Sequence, residues 1–310
     1  MHRRALLLAL LLPLPAEAAG AVFPPGAAVG LVPPPGMRPA SRFAGFQDDG
    51  ARASILVAEL PAEAFATVSK LDDAALQQRQ GITVARRRDV QVSGARAVLL
   101  SGTQVRDGAR YRKWLLVAGT PALTALVTMQ VPEAAGLAYP DRVAEAALAS
   151  VAFRPLPSLR ARLDALPFTL GDLAGFRVSR TMLGSGLILT EGPLDLVRDA
   201  EQPVLVAVLN PPSPAGKDAQ AALSARALAA ARLRDPVILR TEAFSLRGDD
   251  WRLTEATGAD AGTGRAHYAM QVLRFGRGGL VQVLGIAREE ARETVAPRFR
   301  AAALSIDLRA

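Results

Sequence analysis

Beyond Phe43 the apolar residues fall in short runs separated by Gly, Pro and Asp, a pattern of strands joined by tight turns with an occasional helix. Ala53 to Leu60 forms one such run, stopped by Pro61. Residues 62–80 have helical composition and end at Gly81. Thr83 to Val92, Ala95 to Gln104, Tyr111 to Gly119 and Ala122 to Val131 then read as four strands, with Asp107-Gly108 and Thr120-Pro121 supplying turns. Pro140 and Asp141 open a helix, the proline at a position where its missing N–H costs nothing. Val143, Ala147, Leu148 and Val151 lie on one stripe of that helix, suited to covering a sheet.

The second half runs in the same order. Phe168 to Thr181, Gly186 to Thr190 and Val204 to Leu209 read as strands, and Asp218 to Leu233 as an alanine-rich helix closed by Pro236. Four strands follow: Val237 to Leu246, Asp250 to Ala256, His267 to Phe275 and Leu280 to Ala287. A last helix carries Val295, Phe299, Ala302 and Ile306 on one face. Gly94-Ala95-Arg96-Ala97-Val98 aligns with Gly248-Asp249-Asp250-Trp251-Arg252, and residues 144–151 align with 299–306. The expected fold class is therefore α+β: two similar domains, each an antiparallel β-sheet covered by helices, made by tandem duplication. The boundaries predicted are 29–154 and 167–309, with a linker over 155–166 that contains a short helix, Ser158 to Ala165.

The N-terminus differs from everything after it. Met1-His2-Arg3-Arg4, an apolar run from Ala5 to Leu14 and Ala16-Glu17-Ala18 predict a secretory signal peptide over residues 1–18, cleaved near Ala18. The apolar run falls short of the ~20 residues of a spanning helix. The mature chain is expected to be periplasmic or secreted.

The Pro-Gly-rich opening and the Phe43-Ala44-Gly45-Phe46 strand, followed by a helix, a four-strand meander and a closing helix, resemble the PsbP-like sandwich. Gly30-Leu31-Val32-Pro33-Pro34-Pro35-Gly36-Met37, Arg112-Lys113-Trp114-Leu115-Leu116-Val117 and Leu170-Gly171-Asp172-Leu173-Ala174-Gly175-Phe176 also resemble exported two-domain bacterial proteins without assigned activity. The resemblance implies an accessory or binding subunit, an implication at the level of fold alone.

Composition narrows the chemistry. The chain of 310 residues has no cysteine, which excludes disulfides, thiolate metal sites and a cysteine nucleophile. The mature part holds one histidine, His267, at the start of a strand. As a general base it would need a nucleophile and an orienting acid, and Ser185 in Gly184-Ser185-Gly186 lacks the Gly-x-Ser-x-Gly spacing of a nucleophile elbow. Asp48-Asp49-Gly50 and Asp249-Asp250 are carboxylate pairs at turn positions, where Asp bonds to nearby backbone. Gly258, Gly262 and Gly264 follow neither a dinucleotide nor a Walker pattern. No cofactor and no metal site is expected.

The net charge of +8 rests on 37 basic side chains, only 3 of them lysines (Lys70, Lys113, Lys217). The longest basic run, Arg86-Arg87-Arg88, has no interleaved aromatics, so nucleic acid is not an expected partner. Arg110, Arg112 and Lys113 beside Trp114 suggest a cationic platform, and Trp251 and His267 are the other candidate binding residues. The reading is an exported, non-enzymatic accessory or binding protein of the bacterial envelope, its partner an envelope protein or small ligand. The alternatives are a periplasmic hydrolase using His267 and a membrane-surface or lipid-binding module.

Overall fold

The computed structural model describes residues 20–106, 108–195, 197, 199–210, 216–276 and 279–309; the expected signal peptide lies outside them. In the first half the elements are β1 (Val29–Gly30), β2 (Arg38–Pro39), β3 (Gly45–Asp48), β4 (Ala53–Leu60), α1 (Phe65–Val68), α2 (Asp73–Gln80), β5 (Ile82–Val92), β6 (Ala95–Arg106), β7 (Ala109–Gly119), β8 (Thr124–Pro132), α3 (Asp141–Ala149) and β9 (Ala152–Phe153). After α4 (Leu159–Asp164), capped by the Ser158 hydroxyl, come β10 (Phe168–Leu170), β11 (Arg177–Met182), β12 (Gly186–Thr190), β13 (Val204–Asn210), α5 (Lys217–Leu228), β14 (Leu233–Leu246), β15 (Asp249–Asp260), β16 (Ala266–Gly276), β17 (Gly279–Arg288), α6 (Arg292–Leu304) and β18 (Ile306–Leu308).

Two seven-stranded antiparallel sheets result, ordered β2-β3-β4-β8-β7-β6-β5 and β11-β12-β13-β17-β16-β15-β14. Relabelled by place within its own half, each is the same crossover pattern. The duplication extends to detail. Hairpin β5–β6 turns through Ser93 and Gly94 at φ 47° and 76°, and β14–β15 turns through Arg247 and Gly248 at φ 53° and 81°. Two successive positive φ values define the turn whose twist suits a two-residue hairpin.

Each half is also closed by a two-stranded clasp. β1 pairs with β9, Val29 opposite Phe153, and β10 pairs with β18, Phe168 opposite Leu308. One further bond lies outside each clasp, from Arg154 N to the Ala28 carbonyl and from Arg309 N to the Pro167 carbonyl, both 2.9 Å.

Alternation along the strands gives each sheet two faces. In the first half one face carries Phe46, Ile55, Val57, Leu99, Trp114, Leu116 and Val127, buried with Ala144, Ala147 and Leu148 of α3. In the second the matching face packs Trp251, Leu253, Val272 and Val283 with Val295, Phe299 and Ala302 of α6. Each large side chain so buried contributes about 1.5–3 kcal/mol over an exposed one. The predicted stripes reach these cores, except that Val143 is half-buried, Val151 lies past the end of α3 and Ile306 belongs to β18, not to the last helix.

The opposite faces differ. In the first half Leu76 of α2 is buried with Val98, Leu100 and Leu115. In the second, Ser224 of α5 lies over Thr254 and Gln271 and meets the Gln271 amide at 2.9 Å. Leu100 pairs with Leu115 as Thr254 pairs with Gln271, so the two helices cover equivalent ground, one with leucines and one with a buried polar network.

Three local expectations change. Residues 62–80 form two short α-helices broken between Ser69 and Asp72, where Asp72 caps α2 by accepting from Ala75 N at 2.6 Å. Residues 168–181 form two strands separated by Ala174 and Gly175 at φ 49° and 82°. Pro236 lies inside β14 instead of closing a helix; β14 is an edge strand, where a missing N–H leaves no ladder bond unmade.

Candidate functional site

The candidate residues of the first half lie on β7 and do not form one platform. Strand alternation directs Arg110, Arg112 and Trp114 to the α3 side and Lys113 to the other. The Arg112 guanidinium sits 4.8 Å from the Trp114 ring centroid and bonds the carbonyls of Gly136 and Tyr139 and the Asp141 carboxylate. Arg110 approaches Glu133 at 3.8 Å. Burial, with Arg106 nearby, pushes the Lys113 ammonium below its ordinary range. Trp114 is 2% exposed, and its indole N–H has no acceptor among the described residues. Arg112 and Trp114 thus fasten α3 to the sheet.

Trp251 is also a core residue. It stacks on Phe244 with ring centroids 6.4 Å apart, donates from Nε1 to the Leu246 carbonyl at 3.1 Å, and lies beneath the Arg274 guanidinium. The carboxylate pairs serve turns and tethers. Asp48 accepts from Tyr139 Oη at 2.6 Å and from Ala51 N, and the tyrosine hydroxyl holds its carboxyl below the usual range. Asp249 pairs with Arg274, whereas Asp250 faces Ser245 and Gln220.

His267 occupies a recess of about 220 Å³ lined in part by Val197, Val204, Ala231 and Arg232. Its Nε2 lies 3.3 Å from Asp199 Oδ1 without the alignment of a hydrogen bond. Asp199 is the centre of this cluster. It accepts from Thr263 Oγ1 at 2.5 Å and pairs with Arg265 at 2.8 Å and Arg288 at 3.4 Å. The Thr263 hydroxyl, then the two guanidiniums and His267, hold its carboxyl below the ordinary range. Asp199 and Ala200 both have positive φ, 51° and 46°, a conformation that costs a residue with a side chain about 1–2 kcal/mol. The Thr263 hydroxyl of this cluster is engaged with the carboxylates of Asp199 and Asp260. The cluster clamps the β15–β16 loop to the segment before β13. Periodicity gives no sign of Asp199, because its loop has none.

A second feature is visible only when the halves are compared. At the tip of hairpin β5–β6, on the α1 side, lies a recess of about 650 Å³ bounded by Phe65, Lys70, Asp89, Gln91, Arg96 and Val98. The equivalent place in the second half is a recess of about 140 Å³ at the tip of β14–β15, bounded by Lys217, Gln220, Ala243, Ser245, Asp250 and Arg252. Counting from the matched turns, Asp89, Gln91, Arg96 and Val98 correspond to Ala243, Ser245, Asp250 and Arg252. The Arg96 guanidinium lies 5.7 Å from the Phe65 ring centroid. Gly119 makes room for that ring: a Cβ there would come within 2.6 Å of it.

No protein-family model and no curated protein sequence matches the chain. Among solved structures it is similar to cyanobacterial PsbP (CyanoP) from Synechocystis sp. PCC 6803, at 14% identity over 46% of this chain and 87% of that one, with a TM-score of 0.32. It is similar to PA94 of Pseudomonas aeruginosa, described as a putative regulator of unknown function, at 16% identity over 44% and 98%, TM-score 0.32. It is also similar to the immunity protein TplEi of the same organism, at 10% identity over 88% and 96%, TM-score 0.31. Among the described residues no helix is long and apolar enough to cross a membrane, and no cluster of His, Asp and Glu suited to a metal ion occurs.

Proposed function

We propose that this chain is an exported accessory protein of the bacterial envelope that acts by binding a partner, and that the partner seats in the first-half recess beside Phe65 and Arg96. One observation carries the reading: two copies of one domain have the same recess, largely filled by the chain's own α5 in one copy and open in the other. Duplication followed by filling of one copy leaves the other as a vacant place of defined shape. The arginine excess gives less direction, since arginines of both halves are taken up by carboxylates, as in Arg87–Asp73, Arg88–Glu145, Arg177–Asp195 and Arg300–Glu242. The His267 cluster supports clamping over hydrolysis, because its hydroxyl and arginines are bound to Asp199.

Photo-crosslinking tests this reading. A photoreactive phenylalanine analogue at Gln91 or Lys70, in the mature protein expressed in its native envelope, is expected to give a discrete adduct. The same analogue at Ser245 in the second-half recess is expected to give none. Adducts that are equal at both places, or that persist when Gly119→Ala displaces Phe65, would remove the first-half recess from consideration.

A further inference from the structure

The contents of the second-half recess show what the first-half recess lacks. In α5 the buried stripe is Gln220, Ser224 and Leu228, one residue per turn. Ser224 sits over the Thr254–Gln271 pair, and Gln220, one turn earlier, reaches Asp250 at 3.5 Å. Arg252 bonds the Lys217 carbonyl at 3.1 Å at the start of the same turn. In the first half Leu76 takes the place of Ser224, over Leu100 and Leu115. One turn before Leu76 stands Asp72, the cap at which α2 begins. The turn that would lie over Arg96 is therefore missing, because the chain breaks between α1 and α2; Val98, further along β6, is already buried with Leu76. The open recess is the space of that turn.

We infer that this space takes a helical turn from a partner protein, and that the turn is acidic. The inference rests on the binding role proposed above and names the class of occupant. Charge sets the sign. Gln220 donates its amide to a carboxylate, Asp250, in the filled recess, whereas the equivalent floor residue in the open one is the cation Arg96. Lys70 stands on the rim. Among the described residues neither Lys70 nor Arg96 is paired with a carboxylate; Asp89 is the acidic group of the recess, and Gln91 is neutral. A carboxylate one turn into the incoming helix meets Arg96. An apolar residue beside it covers the half-buried face of Phe65. An extended strand would not reproduce the spacing, since its side chains recur every second residue and not once per turn.

The test uses the mature protein and three fluorescent peptides in anisotropy titrations. The first is a lactam-bridged helix copying residues 216–223 with glutamate at the places of Lys217 and Gln220. The second is its twin with lysine at both places, and the third is the glutamate peptide without the bridge and with a central proline. The expected result is at least tenfold tighter binding of the acidic helix than of either other peptide, a preference inverted by Arg96→Asp, a change at an exposed side chain whose fold is checked by circular dichroism. Equal binding of the acidic and basic helices, or a preference untouched by Arg96→Asp, overturns the inference. So does tight binding of the proline peptide, or self-association of the protein that Arg96→Asp abolishes, which would assign the recess to a second copy. Groove-specific photo-adducts together with a failed peptide preference would sink the acidic helix and leave the binding role standing.

Discussion

Trp251 and Arg274 stand directly opposite each other on β15 and β16, the guanidinium carbon 5.4 Å from the ring centroid. The same two positions in the first half are Ala97 and Ala118, opposed across β6 and β7. A duplicated sheet has thus been packed in two ways, with a stacked aromatic and buried cation in one copy and two methyl groups in the other. Large side chains are placed differently as well: Trp114 lies on β7 where β16 has Met270.

Arg274 is 6% exposed, and it holds Asp249 at 2.7 Å and the Ile306 carbonyl at 2.8 Å, tying the hairpin to β18. Arg274→Ala leaves that carboxylate without its buried partner and the Ile306 carbonyl with Arg247 alone, at 3.3 Å, and is expected to cost about 3 kcal/mol. Adding Asp249→Asn should recover part of the loss. A double-mutant cycle by urea denaturation checks both, and strict additivity would contradict the pairing.

The indole N–H groups of the two tryptophans meet different surroundings. Trp251 donates to Leu246, whereas the Trp114 N–H has no acceptor among the described residues. Both lose similar area on conversion to Phe, so Trp251→Phe is expected to be the costlier by about 1 kcal/mol. Far-UV circular dichroism in urea measures the difference, and the remaining tryptophan reports on its own half by fluorescence.

Glu59 Oε1 accepts from the backbone N–H groups of Ala28 and Val29, at 2.6 and 3.0 Å, where the opening segment crosses β4. Burial, partly offset by these bonds, raises its carboxyl above the usual range. A raised carboxyl favours the fold when protonated, and this contribution fades as pH climbs through the folded value. Glu59→Gln keeps the accepting oxygen and removes the charge, so it should be neutral or stabilising at neutral pH. Glu59→Ala strands two buried donors and should cost about 1–3 kcal/mol. Thermal melts of the two variants at pH 7 and pH 5 separate these outcomes.

Asp199 has the opposite sign. Its carboxyl is depressed by Thr263 and the flanking arginines, so its contribution is present above the unfolded value of about 3.9 and lost as pH falls through the folded one. Asp199→Asn is expected to melt below the parent at pH 7, with the gap closing as both are taken below about pH 4. A gap independent of pH would show that the carboxylate's charge is not what clamps the loop.

Most of the fold was legible because it is repeated and periodic. Of the expected turns, Asp107 lies outside the described residues; the α3 and α6 stripes and the C-terminal glycine of α2 are local signals. Gly81 ends that helix at φ 66° as its position suggests. The break between α1 and α2 was not legible, since 62–80 is helical in composition throughout and the interruption depends on Leu76 finding Leu100 and Leu115 across the sheet. Pro236 misled because a proline closes a helix or sits on a sheet edge, and only strand order distinguishes these. Of the candidate site, His267 stands out in the sequence as the one histidine after the expected signal peptide, but its neighbour Asp199 and the recess residue Arg96 gain meaning only from pairing across distant segments. The tryptophans drew attention by rarity, and the structure places both in the core.

The clasps that close each half have a consequence under load. Val29 at the outer end of β1 faces Phe153 at the outer end of β9, and Phe168 faces Leu308 in the same sense. Tension applied to the two ends of a half therefore reaches the outermost bond first, Arg154 to Ala28 or Arg309 to Pro167, and passes inward one bond at a time. The strands peel in the manner of a zip and are not sheared together.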